Sequence, residues 1–475
     1  MYVHRAYTSK WSSASSCSLR RPGGTSRPRD GDGGGAARAR REPRSWSAGR
    51  VAYHLRVPRL LLDATPLRVS PAFRLLWLGL SVSNLGGQLT VVAVGLQVYH
   101  LTRSTFAVGV LGLFALVPLV VFGLYGGAIA DHADRRTVAL VASAVAWVAV
   151  LGLVVQALAH STSVGVLYAL VALESGAGAV NSPARGAIIP RLLEPRHMPA
   201  ANAWQTLGWN IALTVGPLVG AGMVAFGGYG LAYGTDAVLF TFALAALYRL
   251  PPVPPERSAN GRQRAGLGSV LDGLRYLGTQ PNVRMTFLVD LAAMVFSSPR
   301  VLFPAIGVVY LGGGATTTGA LTAAVAVGAV LSGLLSGGLA RVRWQGQTIV
   351  WSITVWGLSI VVFGLVLAHV GPNSPAQVLW GALLAVLVAL AVAGAADNTS
   401  AVFRQTILQT ATPDDMRGRL QGVFTVVVAG GPRLGELGLG AVSSRIGEGW
   451  AAVIGGAACL VALWLLVVGQ PRFWR

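Results

Sequence analysis

The chain has 475 residues, 53% of them hydrophobic and only 11% charged, with a mean hydropathy of +0.60. That balance excludes an ordinary soluble domain and points to a polytopic membrane protein. The net charge of +20 is uneven: residues 1–74 hold fourteen arginines and the only lysine, Lys10, against four acids. The two cysteines, Cys17 and Cys459, offer neither a disulfide framework nor a metal cluster.

Residues 1–66 are rich in Ser, Gly, Pro and Arg, which predicts a disordered basic tail. Two origins stand for it: a basic arm that binds anionic lipid or nucleic acid, or a translated region upstream of a start near Val51. Low complexity needs no function and favours the second. No hydrophobic signal-peptide core precedes the first span, and no nucleic-acid partner is expected.

Apolar runs follow at about 72–98, 106–130, 138–159, 164–186, 204–227, 230–250, 284–310, 317–340, 348–369, 377–402, 419–444 and 450–469. They predict an all-α membrane protein of twelve transmembrane helices. Arginines concentrate in alternate connections, near 131–137, 185–203, 250–283, 341–347 and 403–418. The connections near 160–163, 228–229, 311–316 and 370–376 carry none, and Arg103 and Arg445 are the only arginines in that set. Positive residues stay in the cytoplasm, so both termini are expected inside and the chain multi-pass in the cytoplasmic membrane. The longest internal break makes residues 67–250 one six-helix bundle, 251–283 a cytoplasmic linker and 284–475 a second six-helix bundle. Within the linker, VLDGLRYLGTQP (270–281) has the pattern of an amphipathic surface helix. SGGLARVRWQG (336–346) echoes YGGAIADHADR (125–135), and GPLVG (216–220) recurs as GPRLG (431–435), so the halves are expected to be pseudo-symmetric.

In YGGAIADHADRRTV (125–138), Asp131, His132, Asp134, Arg135 and Arg136 crowd one turn between two spans. Read alone, it is the aqueous turn of a helical hairpin, with Gly126 and Gly127 permitting close approach. It also resembles the signature loop of the major facilitator superfamily, G-x-x-x-D-(R/K)-x-G-(R/K)-(R/K). Gly127 matches the first position, Asp131 the acid, and Arg135 and Arg136 the basic pair, while His132 and Asp134 depart from it. Asp131 is expected to gate the cytoplasmic side by meeting the positive N-terminal end of span eleven, around Arg419.

The fifth span, AWQTLGWNIALTVGPLVGAG, resembles the antiporter motif of the same superfamily at Gly216, Pro217 and Gly220, with alanines where other glycines are usual. The resemblance implies export in exchange for protons; the residues alone also read as a packing kink. NSPARGAIIPRLLEPRHMPAANAW (181–204) and AADNTSAVFRQTILQTATPDDMRGRLQGVF (395–424) look like the branch that holds the enterobactin exporter and multidrug efflux proteins. A siderophore or drug-like molecule is the substrate class this implies.

Charged groups within spans are costly and mark pathways by default. Glu174 sits about 12 residues, ~18 Å, from the cytoplasmic end of span four, with no base near it in sequence. A lone carboxylate at that depth suits a group that gains and loses a proton. Asp290 is the second candidate for proton coupling; Arg300, about 15 Å further along the same helix, is a counter-charge for an anionic substrate. Arg433 and Glu436 share a face of span eleven and read equally as a self-neutralising pair or as substrate and proton groups. Asp236 and Asp397 lie nearer span ends, within reach of water. Asn84 and Gln88 in span one, with Trp209 and Asn210 in span five, suit a cavity for an amphipathic aromatic molecule or, for the first two, interhelical hydrogen bonds. No zinc-protease pattern, nucleotide loop or Ser-His-Asp set occurs in the spans, so no enzyme, cofactor or metal is expected. The reading is a secondary transporter, expected as a monomer, that exports a small organic molecule by proton antiport. Its alternatives are an uptake symporter and a membrane scaffold.

Overall fold

A computed structural model of the chain describes residues 63–132, 134–253, 267–335, 344–411 and 414–474. The tail expected over 1–66 lies outside them except for its last four residues, as do much of the linker and nearly all of the 336–346 echo.

The long helices are α1 Pro71–Thr102, α2 Thr105–His132, α3 Arg135–Leu158, α4 Val164–Leu192 and α5 Met198–Tyr248. After a short α6, Leu267–Thr279, come α7 Pro281–Ser297, α8 Gly314–Leu334, α9 Gln345–Val370, α10 Trp380–Ala411, α11 Asp414–Ile446 and α12 Glu448–Gly469. No strand occurs among the described residues. Local chemistry sets the ends. Ser70 caps α1 by accepting from the Phe73 N–H at 3.1 Å, with Pro71 behind it in the first turn. Asp134 caps α3 through the Thr137 N–H at 2.8 Å. Gly447, at φ 82°, turns the chain between α11 and α12.

Ten stretches among the described residues are long and apolar enough to cross a membrane. The twelve expected spans map onto them once α5 is read as two passes and the more polar α11 is added. Gly228 separates the arms of α5 with φ 72° and ψ −176°. Contacts with α1 show the reversal. Gly208 faces Ser81, Gly216 faces Gln88 and Gly220 faces Leu89, so the first arm runs parallel to α1. Gly86 faces Asp236 and Gly79 faces Ala243 and Ala246, so the second arm runs antiparallel to it. Large side chains such as Val155, Leu158, Phe242, Leu384 and Leu465 are exposed, a surface suited to acyl chains rather than water.

Span seven departs from expectation. The sequence predicts a continuous helix over 284–310, but α7 stops at Ser297 and a 3₁₀ turn, Pro299–Leu302, follows. Pro299 has no N–H and disfavours the helical region for the residue before it, and Ser298 is extended at φ −80°, ψ 100°. Arg300 therefore does not lie on the helix that carries Asp290.

The halves are related by their contacts. A Cβ on Gly220 would lie 2.8 Å from the Leu89 Cα of α1, and one on Gly431 would lie 3.2 Å from the Met294 Cβ of α7. Thus the antiporter-like GPLVG and its echo GPRLG press on corresponding helices. Between the halves, α2 crosses α11 and the first arm of α5 crosses α8. A Cβ on Gly109 would sit 2.7 Å from the Glu436 carbonyl, and one on Gly319 would sit 2.8 Å from the Pro217 carbonyl. Thr105 Oγ1 donates across to Glu448 Oε1 at 2.8 Å. These contacts lie toward the ends of the helices where the connections lack arginine.

Since the neighbour of Gly220 is backbone, a methyl group there cannot be absorbed by a side-chain rotation. Gly220→Ala is expected to cost about 1–3 kcal/mol, seen as a lower unfolding temperature in detergent. Gly222→Ala, with nothing within 4 Å of its added Cβ, should leave that temperature unchanged.

Candidate functional site

A cavity of about 720 Å³ lies between the halves. Each surrounding element contributes to its wall: α1 gives Gln88 and Thr90, α4 gives Glu174 and Ser175, and α5 gives Trp209. From the other half come Arg300 and Phe303 in the interrupted stretch after α7, Thr318 and Thr322 on α8, and Arg433 and Glu436 on α11.

Two carboxylates and two guanidiniums thus share one chamber. Arg433 and Glu436 form no ion pair with each other, and neither Glu174 nor Arg300 has an ion-pair partner within 4.0 Å among the described residues. Charges held apart in a partly enclosed chamber keep their capacity for a ligand or a proton, because none has been satisfied by a neighbour. Trp209, 45% exposed, adds aromatic surface, while Phe303 in the wall is buried.

The structure therefore brings together Gln88, Glu174, Trp209, Arg300, Arg433 and Glu436 of the expected site. Asn84 and Asn210 are not in the cavity wall. Neither is Asp290, which is 1% exposed and ion-paired with Arg404 of α10. The Arg404 Nη2 also lies 3.5 Å from Asp397. Sequence reasoning missed Arg404 because it treated 403–418 as a connection; α10 runs on to Ala411 and carries Arg404 into the core. The apolar run at 377–402 passing without a break into VFRQ was the signal that could have found it. Asp236 also departs from expectation. It does not reach water but is fully buried between the second arm of α5 and α1, where Thr90 Oγ1 donates to its Oδ2 at 2.5 Å.

Of the signature loop, the side chains at Gly127 and Asp131 lie outside the described residues, as does that of Arg419 on α11. The basic pair is described. Arg135 Nη1 donates to the Ala187 carbonyl of α4 at 3.2 Å. Arg136 donates to the Leu247 and Tyr248 carbonyls, with its guanidinium 5.5 Å from the Tyr248 ring centroid. Both arginines tie the loop to helices of its own half.

The Asp290–Arg404 pair has a testable energetic consequence. Removing one partner leaves an uncompensated buried charge, so Asp290→Leu or Arg404→Leu alone is expected to cost about 3–5 kcal/mol. Asp290→Leu with Arg404→Leu should recover most of that loss in thermal unfolding.

Sequence and fold comparisons agree on what kind of chain this is. The sequence model of the transmembrane secretion effector family matches residues 63–472. The enterobactin exporter EntS of Citrobacter koseri is 30% identical over 419 residues, covering 87% of this chain and 96% of that protein. The same exporter of Shigella boydii is 30% identical over 416 residues, again 87% of this chain and 96% of that protein. Among solved structures, a POT family transporter in complex with a thioalcohol-conjugated peptide superposes with a TM-score of 0.68 at 11% identity, covering 85% of this chain and 97% of that one. A bacterial homologue of the iron transporter ferroportin in its inward-facing state superposes at 0.61 with 15% identity, covering 84% and 98%. At such identities the structures speak to the fold alone.

Proposed function

Because the chain belongs to the transmembrane secretion effector family of the major facilitator superfamily, we propose that it exports a small organic molecule in exchange for protons. A siderophore or drug-like compound is the substrate class, after the enterobactin exporters that resemble it over almost their whole length. The observation that carries the reading is the set of four charged groups held apart in the cavity between the halves. Arg300 and Arg433 offer two cations to an anionic group, with Trp209 beside them for its aromatic part. Glu174 is the proton-coupling carboxylate, and Glu436, three residues after Arg433 on α11, is a second acid in the same cavity wall. Substrate entering near Glu174 favours release of its proton, and substrate departure favours return, which gives opposite fluxes.

Transport proceeds by alternating access in the cytoplasmic membrane, with both termini inside and the chain acting as a monomer. On that orientation the arginine-poor ends, where the halves touch, are external, and this conformation faces the cytoplasm. Asp131 and Arg419 close the opposite side when the halves rock.

Two experiments test this. In proteoliposomes loaded with enterobactin, Glu174→Gln is expected to lose accumulation driven by a pH gradient while retaining downhill exchange, which needs no net proton movement. If the variant concentrates the probe as well as wild type, coupling does not run through Glu174. Reporters fused after Arg264 and at Arg475 should be cytoplasmic, and one in the 371–379 connection external; an external signal at 264 would overturn the orientation.

A further inference from the structure

Asp236 is a charged residue that the cavity chemistry leaves unused. It lies on the second arm of α5, fully buried, with its carboxylate wedged against Gly86 of α1. One oxygen, Oδ2, accepts the Thr90 hydroxyl at 2.5 Å, and the other, Oδ1, is buried without a hydrogen-bond partner. An ionised carboxylate is an acceptor at both oxygens and needs several donors when removed from water. Here it has one.

Among the described residues no cation forms an ion pair with it. From α1 come Gly86 and Thr90; from α3 comes Trp147, whose indole N–H goes to the Ala237 carbonyl at 3.2 Å and to Thr241. On its own arm, Tyr233 spends its hydroxyl on Gln97 of α1 at 2.7 Å. Thr90 links the two acids, because its side chain bonds Asp236 and belongs to the wall of the chamber that holds Glu174.

We propose that Asp236 is a second proton-holding carboxyl of the first half, and that it exchanges its proton with Glu174 through the Thr90 hydroxyl and cavity water. The inference rests on the antiport reading for its purpose, but not for its chemistry. Thr90 donates to Asp236 Oδ2 at rest; when its hydroxyl turns toward cavity water, Oγ1 accepts the Asp236 carboxyl proton as its own hydrogen passes through water to the Glu174 carboxylate, and the hydroxyl then turns back to Oδ2. One O–H bond forms at Glu174 for the one lost at Asp236, Thr90 is regenerated, and no oxidant or reductant is involved. Two carboxyls coupled in this way titrate as a pair, so one proton stays in the half while the other faces the substrate. Thr90 is the positioning residue of that pair.

Infrared difference spectra of the full chain in lipid vesicles, taken between acid and alkaline buffer without substrate, test the assignment. Among its protonated-carboxyl bands, wild type is expected to show one from Glu174 and one from Asp236. Glu174→Gln should lose one and Asp236→Asn the other. Thr90→Val, which keeps the side-chain shape and removes the hydroxyl, should move the Asp236 band to higher frequency, and Thr90→Ser should return it. A spectrum of Asp236→Asn superimposable on wild type overturns the proposal, as does an unmoved band in Thr90→Val. Either result leaves the Glu174 band and the vesicle transport assay readable, so failure here is distinct from failure of antiport.

Discussion

Backbone approach at small residues is the constraint on which this architecture depends. Within a bilayer, helices gain little from burying apolar surface against one another, because lipid is as apolar as leucine. Association rests on van der Waals packing where backbones come close. Gly216 and Gly220 bring the first arm of α5 onto α1, and Gly431 and Gly435 bring α11 onto α7. Gly109 and Gly319 then set the two crossings between the halves, α2 on α11 and α5 on α8. Because the same helices carry the glycines and the charged residues, the packing that closes one end of the molecule also sets the spacing of Arg433 and Glu436 from Glu174.

The polar groups divide into two classes by how far they are satisfied. Asp290 and Arg404 are buried and paired, and join α7 to α10 within one half. Arg135 and Arg136 satisfy backbone carbonyls at the ends of α4 and α5. These interactions make each half rigid. Glu174, Arg300, Arg433 and Glu436 are the other class, with no ion pair among the described residues and a shared chamber. A half tied together by paired charges and lined by cavity groups free of ion pairs can move as a body while those groups change partners, which is what the proposed alternating access requires.

The interruption after α7 shows how one proline redistributes function. Had the helix continued, Arg300 would have stayed on the helix of Asp290. Pro299 ends the helix, the chain turns, and Arg300 enters the cavity while Asp290 remains behind it with Arg404. Irregular backbone at membrane depth is tolerated where it is buried in protein or lines a cavity, and this break does both.

The sequence by itself determined the membrane class, the approximate spans, the small-residue motifs and the family. Each of these is a local property. Hydropathy is averaged along one helix, a proline or glycine acts on its own turn, and GPLVG and GPRLG are legible as text. That Glu174, Arg300, Arg433 and Glu436 are charges placed at a cost within apolar spans was legible too. Only the tertiary structure decided who faces whom. It joined Glu174 of α4 to Arg433 and Glu436 of α11 in one chamber, gave Asp290 to Arg404, and sealed Asp236 behind Thr90. Those partnerships are fixed by helix crossings at glycine contacts far apart in the chain, and a periodicity read along a single helix contains no information about the helix that crosses it.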